Sequence, residues 1–341
     1  MKVFILSAYT ESDLNIASHN IRKSITYDSF KKYALADNPD IADLIIFVEH
    51  HIGKDPYFFQ VLKHPIYRLY KNKCYLYHDT DIHLTFIPTI SPSICKSNFN
   101  IKMHHPYHYL EQSSNNPYVA YSANKIYEKK YLFSFIGASR TYPFVREKII
   151  EFFQGDDNIQ DTKDYNSWEL EEKERNLYFE KYAKISFQSK FILCPRGIGP
   201  NSYRLYESMK MGIAPVIISD EWVESEEIDW KSCSIRIKEK DVSEIENILR
   251  SRENEYLELG INARKNYEKY ISFENQFHLL SDAAAKLHTL RKDVSFADYL
   301  VEYLRFFEPF HFRNLLRYYK NKYIKGKYSS FVAQRNLAKT V

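Results

Sequence analysis

A chain of 341 residues is long enough for two domains, each with its own core. Its 44% hydrophobic and 27% charged content and net charge of +4 argue against a disordered or fibrous protein. Eight glycines with no G-x-G-x-x-G or G-x-x-x-x-G-K-[ST] string argue against a glycine-rich dinucleotide or P-loop fingerprint, and four widely spaced cysteines argue for reduced thiols rather than a disulfide framework or zinc site.

Apolar runs stay short of the roughly 18 residues of a membrane span. Met1-Lys2 leads into a brief apolar run without a cleavage pattern, so the expected compartment is the cytoplasm.

Val3-Phe4-Ile5-Leu6, Leu44-Ile45-Ile46-Phe47-Val48 and Cys74-Tyr75-Leu76-Tyr77 read as buried strands. Helical stretches are expected within Ser12–Leu35 and from Asp55 toward Leu62. Strands alternating with helices predict a parallel α/β sheet. Glu49-His50-His51 and His78-Asp79-Thr80-Asp81 then fall just past two strand ends, where such sheets bind ligands.

His104-His105-Pro106-Tyr107-His108 invites a metal reading. Pro106 breaks the helix that would align two imidazoles, and no cysteine is near, so a surface loop beside an acceptor site is expected instead. Asp79-Thr80-Asp81 is only a short acidic string and predicts no metal by itself.

A crossover is expected over 115–130, and Leu132–Gly137 begins a second set of strands. Arg140 and Arg146 follow. The polar stretch 156–174 is expected to be a mobile loop, and 169–184 an exposed helix laced with charges.

The most informative stretch runs from Phe187 to Trp222. Phe191–Cys194 is a strand, Pro195–Ser202 is dense in turn residues, and a helix carries Tyr203, Tyr206, Met209 and Met211 to an end at Gly212. Pro215–Ile218 is the next strand. Ser202 is the expected N-cap, and the free N–H groups of the first turn favour an anion there. The guanidinium forks of Arg196 and Arg204 match phosphate oxygens, and Glu207 could accept from ribose hydroxyls. A packed βαβ unit with a surface Arg204–Glu207 pair satisfies the same spacing.

Leu193-Cys194-Pro195-Arg196-Gly197, Asn201-Ser202-Tyr203-Arg204-Leu205-Tyr206-Glu207-Ser208 and Ala214-Pro215-Val216-Ile217-Ile218-Ser219-Asp220-Glu221-Trp222 resemble the C-terminal half of exostosin-type glycosyltransferases in order and spacing. Phe133-Ser134-Phe135-Ile136-Gly137 with Arg140 and Arg146 is similar to another segment of that family. The likeness covers roughly 130–250 and extends only loosely into the N-terminal half. It implies a GT-B fold, two Rossmann-like domains facing a cleft, and inverting, metal-independent transfer from a nucleotide sugar, UDP- or GDP-linked, with no other cofactor.

On that resemblance, Arg140, Arg196, Gly197, Ser202, Arg204 and Glu207 hold the donor, and Asp220 or Glu221 the sugar. An inverting transfer needs a base. Glu49 is the first candidate, with Asp79, Asp81 and His50 behind it. The expected layout is an acceptor-side domain over 1–125, a donor domain over 126–275, and C-terminal helices over 276–341, one of them crossing back to the first domain.

From His311 to Val341 there are eight Lys or Arg and no acid, interleaved with aromatics. This composition fits a surface that visits anionic lipid and brings the enzyme to a lipid-linked acceptor, and equally a solvated helix with a frayed terminus; a nucleic-acid patch shares the composition but is not expected here. The expected partners are a nucleotide-sugar donor and a glycan or lipid-linked acceptor. The competing expectation is a non-catalytic sugar- or partner-binding subunit on the same fold, and an epimerase or hydrolase is a further one.

Overall fold

The computed structural model describes the chain except for residues 11, 51–54, 82–83, 85, 111–115, 121–126, 154, 156, 165–170 and 324–341. Two parallel sheets organise it. In the first, β1 (Lys2–Leu6), β2 (Ala34–Leu35), β3 (Leu44–Glu49), β4 (Cys74–His78), β5 (Thr89–Ser91) and β6 (His104–Pro106) lie in the order β2-β1-β3-β4-β5-β6. In the second, β7 (Tyr131–Gly137), β8 (Ile159–Asp161), β9 (Ser189–Pro195), β10 (Ala214–Ile218) and β11 (Ile235–Arg236) lie in the order β11-β10-β9-β7-β8. Each sheet is parallel throughout, so the chain has the two-sheet α/β arrangement expected from its alternating strands and helices.

The continuous apolar runs explain the central strands. Every residue of β3, β4 and β10 is buried, because helices cover both faces of a parallel sheet. In the second domain, Phe191, Leu193, Val216 and Ile218 pack one face, while Ile192, Cys194 and Ile217 pack the other.

The helix Gln276–Leu290 packs on the first sheet, setting Phe277, Leu280, Ala283, Ala284 and Leu287 against Val3, Ile5, Leu44, Ile46 and Val48. Its alanines leave room for that approach. The backbone N–H of Phe277 donates to Ser24 Oγ at 3.1 Å and fixes the helix start on the first domain.

Two expectations are corrected. His104–Pro106 is the edge strand of the first sheet and not a surface loop: His104 and His108 are both buried, and burial lowers each imidazole to a pKa of about 4. Neutral imidazoles fit there because Asn100 N donates to His104 Nδ1 at 3.1 Å and His108 Nδ1 lies 3.1 Å from Tyr109 O. The stretch expected as a mobile loop contains β8, held by pairing with β7 and by Ser139, whose N–H and hydroxyl both donate to Asp161. The boundary expected at 125–126 and residues 115 and 121–126 of the crossover lie outside the described residues.

Candidate functional site

The site is built where β7 and β9 end. The turn after β9 runs into the helix Tyr203–Met211, which closes at Gly212 with a left-handed φ of 72° that glycine adopts without strain. Ser202 takes the N-cap place with extended backbone, φ −144° and ψ 135°, yet its hydroxyl makes no cap bond. That oxygen is buried and has no partner among the described residues. Asn201 holds the turn instead: its Oδ1 accepts from Ser202 N at 2.7 Å, and its Nδ2 donates to Tyr206 Oη at 2.8 Å and to Pro92 O of the first domain at 2.7 Å. The helix N-terminus thus keeps its electrostatic preference for an anion, beside an uncommitted hydroxyl.

Four arginines surround this end. Arg146 is buried and wired to backbone: Nε donates to Arg196 O at 2.7 Å, Nη2 to Pro195 O at 2.9 Å and Nη1 to Ala138 O at 3.1 Å. It clamps the ends of β7 and β9 together. Burial, and then the neighbouring Arg204, lower its pKa to about 9.

Arg204 Nε donates to Ile136 O at 2.7 Å, and its guanidinium lies 5.3 Å from the Phe135 ring centroid. It also lies directly over Gly137, where a Cβ would collide with its outer nitrogen. That contact is the reason β7 ends in glycine.

Arg196 stacks over Tyr142 at 4.4 Å and faces Glu239 at 3.8 Å. Its Nε is buried without a partner among the described residues. Arg140 is exposed on the turn Ser139–Thr141, just past β7. Gly197 meets only ordinary contacts, with Arg146 Nη2 3.5 Å from where a Cβ would stand, so glycine is not sterically required there.

Glu207 is half-buried one turn along from Arg204. It accepts from Tyr182 Oη at 2.8 Å, and burial raises its pKa. It lines a pocket with an empty volume of about 420 Å³, shared with Tyr109, Tyr203, Tyr206, Lys210 and Tyr267. Glu239 emerges as a residue that sequence reading missed. Its carboxylate accepts from Tyr142 Oη and from Asp220 N, each at 3.0 Å, and it faces Arg196. It follows β11, a strand of two residues, so no long apolar run pointed to it.

On the first domain, Asp79 and Asp81 are brought to the turn after β9. Asp79 Oδ2 is 3.0 Å from His50 Nδ1 and accepts from Tyr203 Oη at 3.4 Å. Asp81 accepts from Ser93 Oγ at 3.3 Å, and both crowd Gly199 so closely that a Cβ there would collide with them.

Glu49 is placed differently. It is fully buried, Oε2 accepts from Ser7 Oγ at 2.6 Å and Oε1 from Ala8 N at 2.7 Å. Burial raises its pKa to about 8. The carboxylate that strand-end logic ranked first is therefore turned inward, bracing β1 against β3. Its neighbours 51–54, including His51, lie outside the described residues.

Asp220 and Glu221, expected at the sugar, are used in joining the domains. Glu221 O accepts from Lys96 N at 2.8 Å, Glu221 Oε2 from Ser97 N at 3.4 Å, and Asp220 O from Lys96 Nζ at 2.6 Å. Val223 N donates to Ile94 O at 3.0 Å, and Trp222 Nε1 donates to Pro92 O at 3.0 Å. The stretch after β10 has added itself to a segment of the first domain as a short antiparallel bridge. Among the described residues no group of three or more His, Cys, Asp or Glu is arranged to hold a metal ion.

Residues 98–252 match the family model described as the Exostosin GT47 domain. The chain is similar to an exostosin-1 homolog of Caenorhabditis elegans, 31% identical over 180 residues that make up 49% of this chain and 46% of that protein. It is similar to a probable beta-1,4-xylosyltransferase of Arabidopsis thaliana, 43% identical over 63 residues, 18% of this chain and 15% of that protein. The matches span about half the length of the first of these relatives and less of the second. Among solved structures it is similar to Anabaena HepE in complex with UDP and glucose, with a TM-score of 0.43, 10% identity, and coverage of 83% of this chain and 98% of that one.

Proposed function

We propose that this chain, whose residues 98–252 match the Exostosin GT47 domain model, is a glycosyltransferase that moves a sugar from a UDP- or GDP-linked donor to a glycan or lipid-linked acceptor. One observation carries the reading. A helix N-terminus, four arginines and two unpartnered buried polar atoms, Ser202 Oγ and Arg196 Nε, converge on one strand-end turn. Donors so arranged suit the oxygens of a diphosphate.

The proposed step is a single displacement with inversion. The acceptor hydroxyl oxygen attacks the anomeric carbon, the bond from that carbon to the diphosphate oxygen breaks, and its electron pair leaves with the diphosphate. Arg196, Arg204 and Arg140 stabilise that departing charge by preorganised electrostatics, with Arg146 holding the two strand ends in place. The arginines supply the positive charge, so the step is proposed to need no divalent metal. Glu207 is assigned to the ribose.

Asp79, paired with His50 and set against the first residue of the donor helix, is proposed to take the acceptor proton. Glu49 is assigned a bracing role.

Turnover of a panel of UDP- and GDP-sugars tests this. Arg196→Ala is expected to lose about a hundredfold or more in kcat/KM, with an unchanged melting temperature. Full turnover in that variant contradicts the assignment. Nucleotide binding with no turnover on any acceptor would point instead to a non-catalytic subunit.

A further inference from the structure

The two helices beyond the crossing helix present their apolar sides outward. In Phe296–Leu304 and the turn Arg305–Phe307, the exposed large apolar residues are Phe296, Leu300, Val301, Tyr303, Leu304 and Phe307; all but Val301 fall along one face, at whose side Tyr303 also packs on Phe86 with ring centroids 4.5 Å apart. Phe296 is 80% and Phe307 78% exposed. The opposite face is polar and buried: Glu302 is 4% and Arg305 7% exposed, and they pair at 3.2 Å.

This inverted orientation is fixed by contacts to the first domain and within the segment. Asn100 Nδ2 donates to Asp298 Oδ1 at 2.8 Å, and Asp298 closes a capping box with Ser295. Arg305 Nε also reaches Glu308 at 3.2 Å.

The next helix, Pro309–Tyr323, has three sides. His311 and Tyr318 face inward; Tyr57 Oη donates to His311 O at 2.9 Å, and the Tyr318 ring lies 5.1 Å from that of Phe59. Phe312, Leu316, Tyr319 and Tyr323 form an exposed stripe. Arg313, Arg317 and Lys320 form a parallel exposed stripe beside it, and the helix contains no acid. No described helix is long and apolar enough to cross a membrane.

We propose that the segment Phe296–Tyr323 is a membrane-docking surface that lays its apolar stripes into the interface of an anionic bilayer. An apolar stripe flanked by cations is what such an interface attracts: apolar rings enter the headgroup boundary, and Lys or Arg beside them meet anionic lipid. A soluble neighbour of ordinary composition supplies no reason for the cation row. The anchor contacts lie on Tyr57 and Phe59, just after the C-terminal end of β3, so docking would hold that end of the acceptor-side domain near lipid. The inference stands independently of the donor assignment.

The test is co-sedimentation of the full chain with phosphatidylcholine vesicles, with and without phosphatidylglycerol, at two salt concentrations. Binding is expected only with phosphatidylglycerol and is expected to weaken with salt. Neutralising Arg313, Arg317 and Lys320 together to Gln should cost on the order of a hundredfold, at about fivefold per cation. Phe307→Glu and Leu316→Glu, both exposed, should release the protein while melting and nucleotide-sugar turnover in detergent-free buffer stay unchanged.

Equal binding by the Glu variants, or binding indifferent to phosphatidylglycerol, would overturn the proposal. So would a dimer in light scattering that Leu316→Glu dissolves, because a second copy would then be the occupant. Loss of binding on changing only Lys325 and Lys327 to Gln, with the helix intact, would also overturn it by moving the contact to the terminal residues.

Discussion

The two sheets end in the same way, with polar residues past their C-terminal edges, but the ends are chemically opposite. Past β7 and β9 the groups are cationic, and several retain unused hydrogen-bonding capacity: Ser202 Oγ and Arg196 Nε are buried without partners among the described residues, and Arg140 is exposed. Past β3 the carboxylate of Glu49 is closed by Ser7 and Ala8. A buried polar group that satisfies itself stabilises or braces; one that does not is held ready for something else. On the proposed function, the difference separates a donor end prepared for an anion from an acceptor end whose first carboxylate is structural, with Asp79 left to face the helix Tyr203–Met211.

The sharpest way to break that contrast is Arg196→Ala. It should weaken nucleoside diphosphate binding by about a hundredfold or more, since hydrogen bonds to charged groups are strong when desolvated. A smaller effect is expected of Gly137→Ala. The new Cβ displaces only the outer end of the Arg204 side chain, so the fold should persist while donor affinity falls by about tenfold, near the low end for an inserted methyl group. Circular dichroism together with titration of the nucleotide checks both halves.

Glu49 sharpens the other side. Its folded pKa of about 8 lies above its ordinary carboxylate value because burial opposes the charge. Between those values the folded state holds a proton that the unfolded state has released. Its contribution is therefore fully present at acid pH and is lost as pH rises toward 8, at roughly 1 kcal/mol per pH unit. Denaturant melts from pH 5 to 8 should show that slope in the wild type and a flatter one in Glu49→Gln. Equal slopes in the two proteins would mean that Glu49 is ionised across this range and available as a base. Least should change in Asp220→Asn: its exposed side chain only accepts from Glu239 N at 3.3 Å, so kcat/KM should stay within about twofold.

How legible this was depended on burial and length. β3, β4, β9 and β10 were readable because strands covered on both faces are continuous apolar runs, and the donor turn was readable because Pro195–Ser202 punctuates two of them. The edge strands β2, β6, β8 and β11, and β5 beside β6, run only two or three residues, too short to show a period, which is how His104–Pro106 passed for a loop. Glu239 reaches Arg196 by tertiary packing alone. The part that Asp220 and Glu221 play in joining the domains left no local signal, because it comes from a strand-like bridge between segments far apart in the chain. Glu49 stood at the expected strand end, but nothing in its neighbourhood said that Ser7 and Ala8 would close on it.

The most direct measurement is calorimetric titration of UDP and GDP into the wild type and Arg196→Ala, with no divalent metal added. The account predicts that one nucleotide binds the wild type and that the variant loses at least about a hundredfold in affinity. Equal binding by both proteins, or no binding of either nucleotide to the wild type, would contradict a diphosphate site at the β9 turn.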